Sequence, residues 1–325
     1  MTILVTGAAG FIGFHTCRAL LDRGERVIGV DNLNDYYDVR LKEARLERLR
    51  ASSGFSFSRL DISAERALAE LAAREPAIDR IVHLAAQAGV RHSLTNPGAY
   101  VRDNIQGHYL LLELCRHLEG LRHLVYASSS SVYGGNRKLP FAVGDRADEP
   151  VSLYAATKRA DELISYAYSH LYRIPATGLR FFTVYGPWGR PDMAMYIFTK
   201  AILAGEPIRL FNYGNMRRDF SYIDDIVAGI LAALERPPPR EGKTPHRLYN
   251  LGQHRAEELR RLVELLERAT GRKAIVELAP MPPGDVPETF ADIEASARDF
   301  GFAPRTPLDE GVPRFVEWYR SYHGS

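Results

Sequence analysis

Short apolar runs alternate with helical stretches through the first half of the chain. ILVTG (3–7), RVIGVD (26–31), FSFSRL (55–60), DRIVHLAA (79–86), HLVYASSSSVYG (123–134) and ATGLRFFTVYG (176–186) have the length and composition of six strands. Helical patterning covers 11–23, with Gly24 as its stop. Asn96-Pro97 pairs a cap residue with proline at the first helical position and predicts a long helix to about residue 117. A second long helix is predicted over about 154–172. Strands alternating with helices give an α/β class: a doubly wound parallel sheet covered on both faces, binding ligands at the carboxyl ends of its strands. Beyond Arg180 the alternation weakens and Pro and Gly become frequent. The expected division is therefore 1–180 as the large-sheet domain and 181–325 as a smaller mixed α/β substrate domain, with a helix near 224–234 packing back on the first. Residues 236–246 read as a surface loop, and 39–50 as a charged amphipathic helix whose basic residues belong to a solvated, ion-paired face rather than to a ligand patch.

Composition narrows the function classes. The 325 residues are 46% hydrophobic and 25% charged, ample for a large core. A formal net charge of +2 gives no field that would favour nucleic acid or an anionic membrane. Cys17 and Cys115 lie far apart, and the ten histidines form no metal-ligand spacing, so no metal site and a reduced, cytoplasmic setting are expected. A strand beginning at Ile3 leaves no room for a signal peptide, and no apolar run reaches the roughly 20 residues of a membrane span.

The first turn carries specific chemistry. TGAAGFIG sets Gly7, Gly10 and Gly13 between a strand and a helix, where side chains would block the approach of a pyrophosphate to the backbone. The helix start adds free N–H groups and the positive end of its dipole. Asp31 closes the second strand, where a carboxylate accepts from ribose hydroxyls and repels a 2′-phosphate. The turn and the acid together indicate a Rossmann-type domain that prefers NAD to NADP. Asp61, after the third strand, serves equally as an adenine contact or as a helix cap before ISAERA.

Ser128 to Ser131 follow the fifth strand, and Tyr154 precedes Lys158 by one helical turn. A phenol becomes a general acid/base for an alcohol when its pKa falls well below about 10. A lysine one turn away lowers it by charge, as does a cationic nicotinamide ring, and a nearby serine hydroxyl shares the proton.

With TGAAGFIG, Asp31, Asp61, HLAA, YASSSSVYG and YAATK in this order, the whole chain resembles the extended short-chain dehydrogenase/reductase superfamily. HLAAQAGVRHS (83–93), LRFFTVYGPWGRPDMA (179–194), GNMRRDFSYIDDI (214–226) and the insert DNLNDYYDVRLKEARL (31–46) are similar to those of bacterial UDP-glucuronate 4-epimerases. The resemblance implies 4-epimerisation of UDP-glucuronic acid through transient oxidation at C4, with tightly held NAD and a homodimer built through the two long helices. It implies Tyr154 as acid/base, Lys158 as its electrostatic partner and a ribose contact, and Ser129 with Ser131 as catalytic hydroxyls. Gly7, Gly10, Phe11, Ile12, Gly13, Asp31, Asn32, Asp61, Ile62, Leu84, Ala85 and Ala86 would line the cofactor. Asn104 matches a family asparagine there, or is a plain surface amide. Substrate contacts would come from Ser129, Ser130, Ser131, Tyr154, Thr183, Asp285 and three arginines, Arg91, Arg190 and Arg218. Each arginine has the alternative of a surface ion pair.

Two departures matter. Thr183 stands where UDP-galactose epimerases carry an asparagine, and Pro282-Pro283-Gly284-Asp285 lacks the arginine those enzymes place before their PGD. Decarboxylases and 4,6-dehydratases of the superfamily usually carry a glutamate where this chain has Ser131. UDP-glucose/UDP-galactose 4-epimerisation is the nearer rival, since its core chemistry is identical. A cofactor-binding sensor without turnover would typically lose the tyrosine or the lysine, and both are present. Short hydroxyls at 129, 131 and 183, with Arg190 nearby, are expected to hold the sugar carboxylate.

Overall fold

In the computed structural model, which describes residues 1–324, seven parallel strands form the central sheet. Six are β1 (Thr2–Thr6), β2 (Arg26–Asp31), β3 (Phe55–Arg59), β4 (Arg80–His83), β5 (His123–Ser129) and β6 (Ala176–Phe181). The seventh, His246–Leu251, pairs with β6 at one edge, and the spatial order is seventh, β6, β5, β4, β1, β2, β3. Chain order runs outward from β1 in one direction through β3 and from β4 in the other. A crevice therefore opens where β1 and β4 lie side by side, the switch point at which such sheets bind ligands.

Side-chain alternation along the strands explains the two covering layers. Ile3, Val5, Val27, Val82, Val125 and Leu179 point to one face, under the helices Phe11–Asp22 and Ile223–Leu234. Leu4, Ile28, Ile81, Leu124 and Ala176 point to the other, under Ala67–Arg74, Gly107–His117 and Leu153–Tyr172. The Ile223–Leu234 helix packs on Phe11–Asp22, as expected for the 224–234 segment. Outside the sheet lie two short strand pairs, Thr183–Tyr185 with Phe220–Tyr222 and Pro207–Leu210 with Ile275–Leu278. Helices Ala194–Ala204, Leu259–Thr270 and Leu308–His323 pack together beside them. Leu259–Thr270 buries Leu259, Leu262, Val263, Leu265 and Leu266, an apolar stripe at helical spacing. Among the described residues, no helix is long and apolar enough to cross a membrane.

Four sequence expectations need correction. The run 176–186 is not one strand. It leaves the main sheet after Phe181, and Thr183 donates its N–H to the Asp219 carbonyl at 3.0 Å. Asp219 is fully buried, and its carboxylate accepts from Ser221 Oγ and from the N–H groups of Gln253, His254 and Ala291. That anchor draws the chain out of the sheet. Strand β5 likewise stops at Ser129, whose hydroxyl accepts from the Ser131 N–H and turns residues 130–133 into one 3₁₀ turn. The helix expected over 96–117 contains a π-helical stretch, Val101–Gln106, the kind of helical irregularity often found beside functional sites.

The 39–50 helix, finally, does not present all of its basic residues to solvent. Lys42, Arg45, Leu46 and Leu49 share one face, and that face is buried. Arg45 donates to the Ala9 carbonyl at 2.9 Å, the Tyr37 hydroxyl at 2.8 Å and the Trp188 carbonyl at 2.5 Å. It thus ties the glycine turn to the loop after Tyr185. Arg45→Met should leave two carbonyls and a hydroxyl without this donor and destabilise the fold by about 2–4 kcal/mol. Urea titration would show this as a lower midpoint at an unchanged slope.

Candidate active site

The glycine turn is shaped by contacts that no side chain would permit. A Cβ on Gly13 would lie 1.9 Å from the Gly7 carbonyl oxygen. Gly7 has φ +73°, and a Cβ there would meet the Ala85 nitrogen at 2.8 Å. Backbone N–H groups of Gly7 and Ala8 donate to the Val30 carbonyl, at 2.7 and 3.1 Å, and so tie the turn to β2. The helix begins at Phe11 with no side-chain cap, which leaves the first-turn N–H groups turned toward the crevice.

Gly7, Gly10, Phe11, Ile12, Gly13, Asp31, Asn32, Asp61, Ile62, Leu84, Ala85 and Ala86 all line one cavity at the carboxyl ends of β1 to β4. Asp31 accepts from the Ala9 N–H at 3.2 Å and the Leu33 N–H at 2.8 Å, so its carboxylate is set before any ligand arrives. Asp61 accepts from the Ser63 N–H and hydroxyl and from Asn32 Nδ2. Burial alone would raise its pKa, but the Ser63 and Asn32 bonds outweigh it and hold the carboxyl below the usual range. The next helix starts only at Ala67, so Asp61 is not its cap. A cradle that excludes every Cβ, free helix-start N–H groups and a pre-set carboxylate at the end of β2 together fit a dinucleotide.

Across the same cavity stand Ser128, Ser129, Tyr154, Lys158 and Arg190. Ser152 caps the Leu153–Tyr172 helix through the Ala155 N–H, which places Tyr154 in its first turn and Lys158 one turn on. The Lys158 ammonium donates to Asp161 Oδ2 at 2.9 Å. Ser129 Oγ and Ser131 Oγ lie 2.5 Å apart, in hydrogen-bond contact. Ser128 donates to Glu162, which also receives two bonds from Arg180 and one from Arg159.

Several candidate residues sit one layer away from the cavity. Ser130, Ser131 and Thr183 follow the strand ends without lining it. Asn104 is buried, exchanges bonds with the Gln87 backbone at 2.7 and 3.1 Å and donates to Thr157; it braces the loop after β4 and is not a surface amide. Arg190 faces the cavity, yet its Nε and Nη2 are both engaged by Asp192, which also accepts from the Tyr36 hydroxyl. Arg91 pairs with Asp285 at 2.9 Å and lies over the Phe211 ring. Arg218 donates to the carbonyls of Val286 and Pro287. Asp285, Val286 and Pro287 form one wall of a second cleft, shared with Asn215, Arg217 and Arg260.

Sequence reasoning missed Lys42, Tyr36 and Gln87 among the cavity residues. For Lys42 a signal existed: positions 42, 45, 46 and 49 follow helical spacing, so the lysine shares the stripe of Leu46 and Leu49.

Fold and cavity define a doubly wound dinucleotide-binding protein with Tyr154, Lys158 and Ser129 facing the glycine cradle. Residues 3–252 match the model of the NAD dependent epimerase/dehydratase family, and the chain belongs to that family, among the extended short-chain dehydrogenases/reductases. A probable UDP-glucuronate 4-epimerase of Rhizobium meliloti (strain 1021) is 48% identical, covering 98% of this chain and 97% of its own. UDP-glucuronate 4-epimerase 4 of Arabidopsis thaliana is also 48% identical, over 99% of this chain and 76% of its own. Among solved structures, the UDP-glucuronic acid 4-epimerase of Bacillus cereus in complex with UDP-glucuronic acid and NAD is 34% identical. That comparison covers 99% of this chain and 100% of the other, with a TM-score of 0.89.

The glycine cradle yields a direct test. Gly13→Ala must push the Gly7 carbonyl out of place, and NAD affinity measured by calorimetry should fall at least about tenfold, or about 1.4 kcal/mol.

Proposed function

We propose that this chain interconverts UDP-glucuronic acid and UDP-galacturonic acid at C4 of the sugar. The observation that carries the reading is the convergence of Tyr154, Lys158 and Ser129 on the cavity that holds the glycine cradle, in a chain 48% identical over nearly its full length to a probable UDP-glucuronate 4-epimerase. The glycine cradle of Gly7, Gly10 and Gly13 with Asp31 would hold NAD, which would supply reversible hydride acceptance at C4. Tyr154 takes the O4 proton as the alcohol is oxidised and gives it back as the ketone is reduced. Lys158 supplies positive charge beside the phenol, and Ser129 shares the proton. A general acid/base is typically worth about 10²–10⁴ in rate.

A uronic acid imposes a further demand. The C4 ketone stands β to the C6 carboxylate, and β-keto acids lose CO2 when the C5–C6 bond lies perpendicular to the ketone plane. Ser129, hydrogen-bonded to Ser131 behind it, supplies a short hydroxyl on the cavity wall to hold the carboxylate away from that geometry, and Thr183 lies between the lining residues Phe182 and Val184. Arg190 contributes through the donors that Asp192 leaves free, so the charge offered to the substrate is moderated. The second cleft suits the nucleotide end. Arg217 and Arg260 line it, and Arg91 brings a guanidinium to Asp285, beside the loop that lacks its own arginine.

The working form is a homodimer in the cytoplasm. Val101 (50% exposed), Tyr109, Leu163 (56%) and Tyr166 (52%) leave apolar surface on the outer faces of the two packed helices, and a second copy would cover it as a four-helix bundle. Both cysteines are buried and unpaired, in keeping with a reducing compartment.

NMR of a reaction with UDP-glucuronic acid should show UDP-galacturonic acid with little CO2. A product that is mainly UDP-xylose or the 4-keto-pentose, or turnover of UDP-glucose alone, would overturn the substrate assignment. Tyr154→Phe should fold and bind NAD but turn over about 10²–10⁴ times more slowly. Leu163→Arg combined with Tyr166→Glu should convert a dimer to a monomer in sedimentation velocity.

A further inference from the structure

Tyr154, Lys158 and Asp161 occupy positions i, i+4 and i+7 of one helix, a single stripe in which the lysine lies between the phenol and the acid. The Lys158 and Asp161 side chains are 3% and 1% exposed. Asp161 Oδ2 takes the 2.9 Å bond from the ammonium, and Oδ1 has no partner among the described residues. The neighbouring acid is built differently. Glu162 is saturated by Arg180, Arg159 and Ser128 and serves as a structural bridge. Asp161 has one polar partner, and it is the lysine of the site. A buried pair with an unfilled oxygen is a poor source of stability, because desolvation of both charges offsets their attraction.

We propose that Asp161 is a positioning residue: a fixed counterion that limits how strongly Lys158 stabilises the Tyr154 phenolate, so that this group can return a proton as readily as it takes one. This rests on the reading of Tyr154 as acid/base. An epimerase uses the same oxygen in both directions, first removing the O4 proton and then restoring it to O4. Proton transfer is most effective when the group's proton affinity matches the working pH. An uncompensated ammonium one turn away would favour the phenolate and oppose return of the proton. A carboxylate on the far side of the ammonium offsets that charge.

The other groups that face the phenol or the pair are committed elsewhere: Arg190 and Tyr100 stand beside Tyr154, with Arg190 held by Asp192 and Tyr100 bonded to the Ala88 and Gly89 carbonyls. From the Gly107–His117 helix, His108 faces the pair and bonds Ser165; from β4, His83 bonds Thr6 Oγ1. Burial holds both imidazoles neutral, with His108 lowered to about 3. From β5, Tyr126 is engaged with His246, and burial lowers the latter to about 4. Arg180 and Arg159 are committed to Glu162. Burial raises the Asp161 carboxyl to about 6 against the pull of Lys158; for Lys158, burial lowers and Asp161 raises, with a net rise. Near neutral pH the pair is ionised, and the counterion is present.

The test is a spectroscopic titration of the phenolate, which needs no substrate. The chain has 17 tyrosines, so Tyr154 is isolated as the difference between the parent and Tyr154→Phe, and between Asp161→Asn with and without Tyr154→Phe. Asp161→Asn keeps an acceptor for the lysine and removes the charge. The Tyr154 midpoint should move down by about one unit, since the substitution removes a like charge that disfavours the phenolate. The acid limb of kcat/KM should move with it, and Asp161→Glu should restore the parent value. An unchanged or raised midpoint in Asp161→Asn overturns the proposal. Should the asparagine variant fail to fold, Asp161→Ala is read by the same criterion. A lowered midpoint in a protein that does not turn over UDP-glucuronic acid would uphold the counterion and defeat the substrate assignment.

Discussion

The site depends on one close approach: the Gly7 carbonyl against the backbone of Gly13, where a Cβ would come within 1.9 Å. That contact lets the first helix start directly at the end of β1. It aims the helix N–H groups into the crevice and leaves Gly7 pressed on the turn after β4. Other parts of the site are secured around it. Arg45 clamps the Ala9 carbonyl to the loop at Trp188, and Asp31 receives the Ala9 N–H. The dinucleotide cradle is therefore built from backbone geometry, with side chains acting as braces.

Charge is concentrated on one helix. Leu153–Tyr172 carries Tyr154, Lys158, Asp161 and Glu162 on buried or cavity-facing positions. Such a row of ionisable groups would be costly without pairing. Its acids differ: Glu162 locks the helix to β6 through Arg180, and Asp161 pairs with Lys158. The same economy of charge recurs at Arg190, whose fork is already held by Asp192. In both places the cation that lines the cavity comes with its own carboxylate.

Much of this was legible in the sequence, because the fold puts its chemistry at strand ends. Gly7, Gly10, Gly13, Asp31 and Asp61 each follow an apolar run, and spacing alone relates Tyr154 to Lys158. What stayed hidden depends on contacts between distant segments. Nothing local says that Asp219 will draw 183–185 out of the sheet, since its partners include Gln253, His254 and Ala291. Asn104 read as a cofactor contact or a surface amide, but the partners it braces are Gln87 and Thr157. Arg45 looked solvated because charge outweighed phase in reading 39–50. Asp161 and Glu162 are adjacent acids, and only the packing of β6 against their helix separates a bridge from a counterion.

The account holds that C4 is inverted by removing and returning the same hydride while Tyr154 moves the O4 proton. Its most direct test is the fate of the C4 hydrogen. UDP-glucuronic acid carrying deuterium at C4, incubated with the enzyme in ordinary water, should give UDP-galacturonic acid that still carries deuterium at C4. Loss of that deuterium to solvent would show inversion by proton abstraction from carbon and contradict the account.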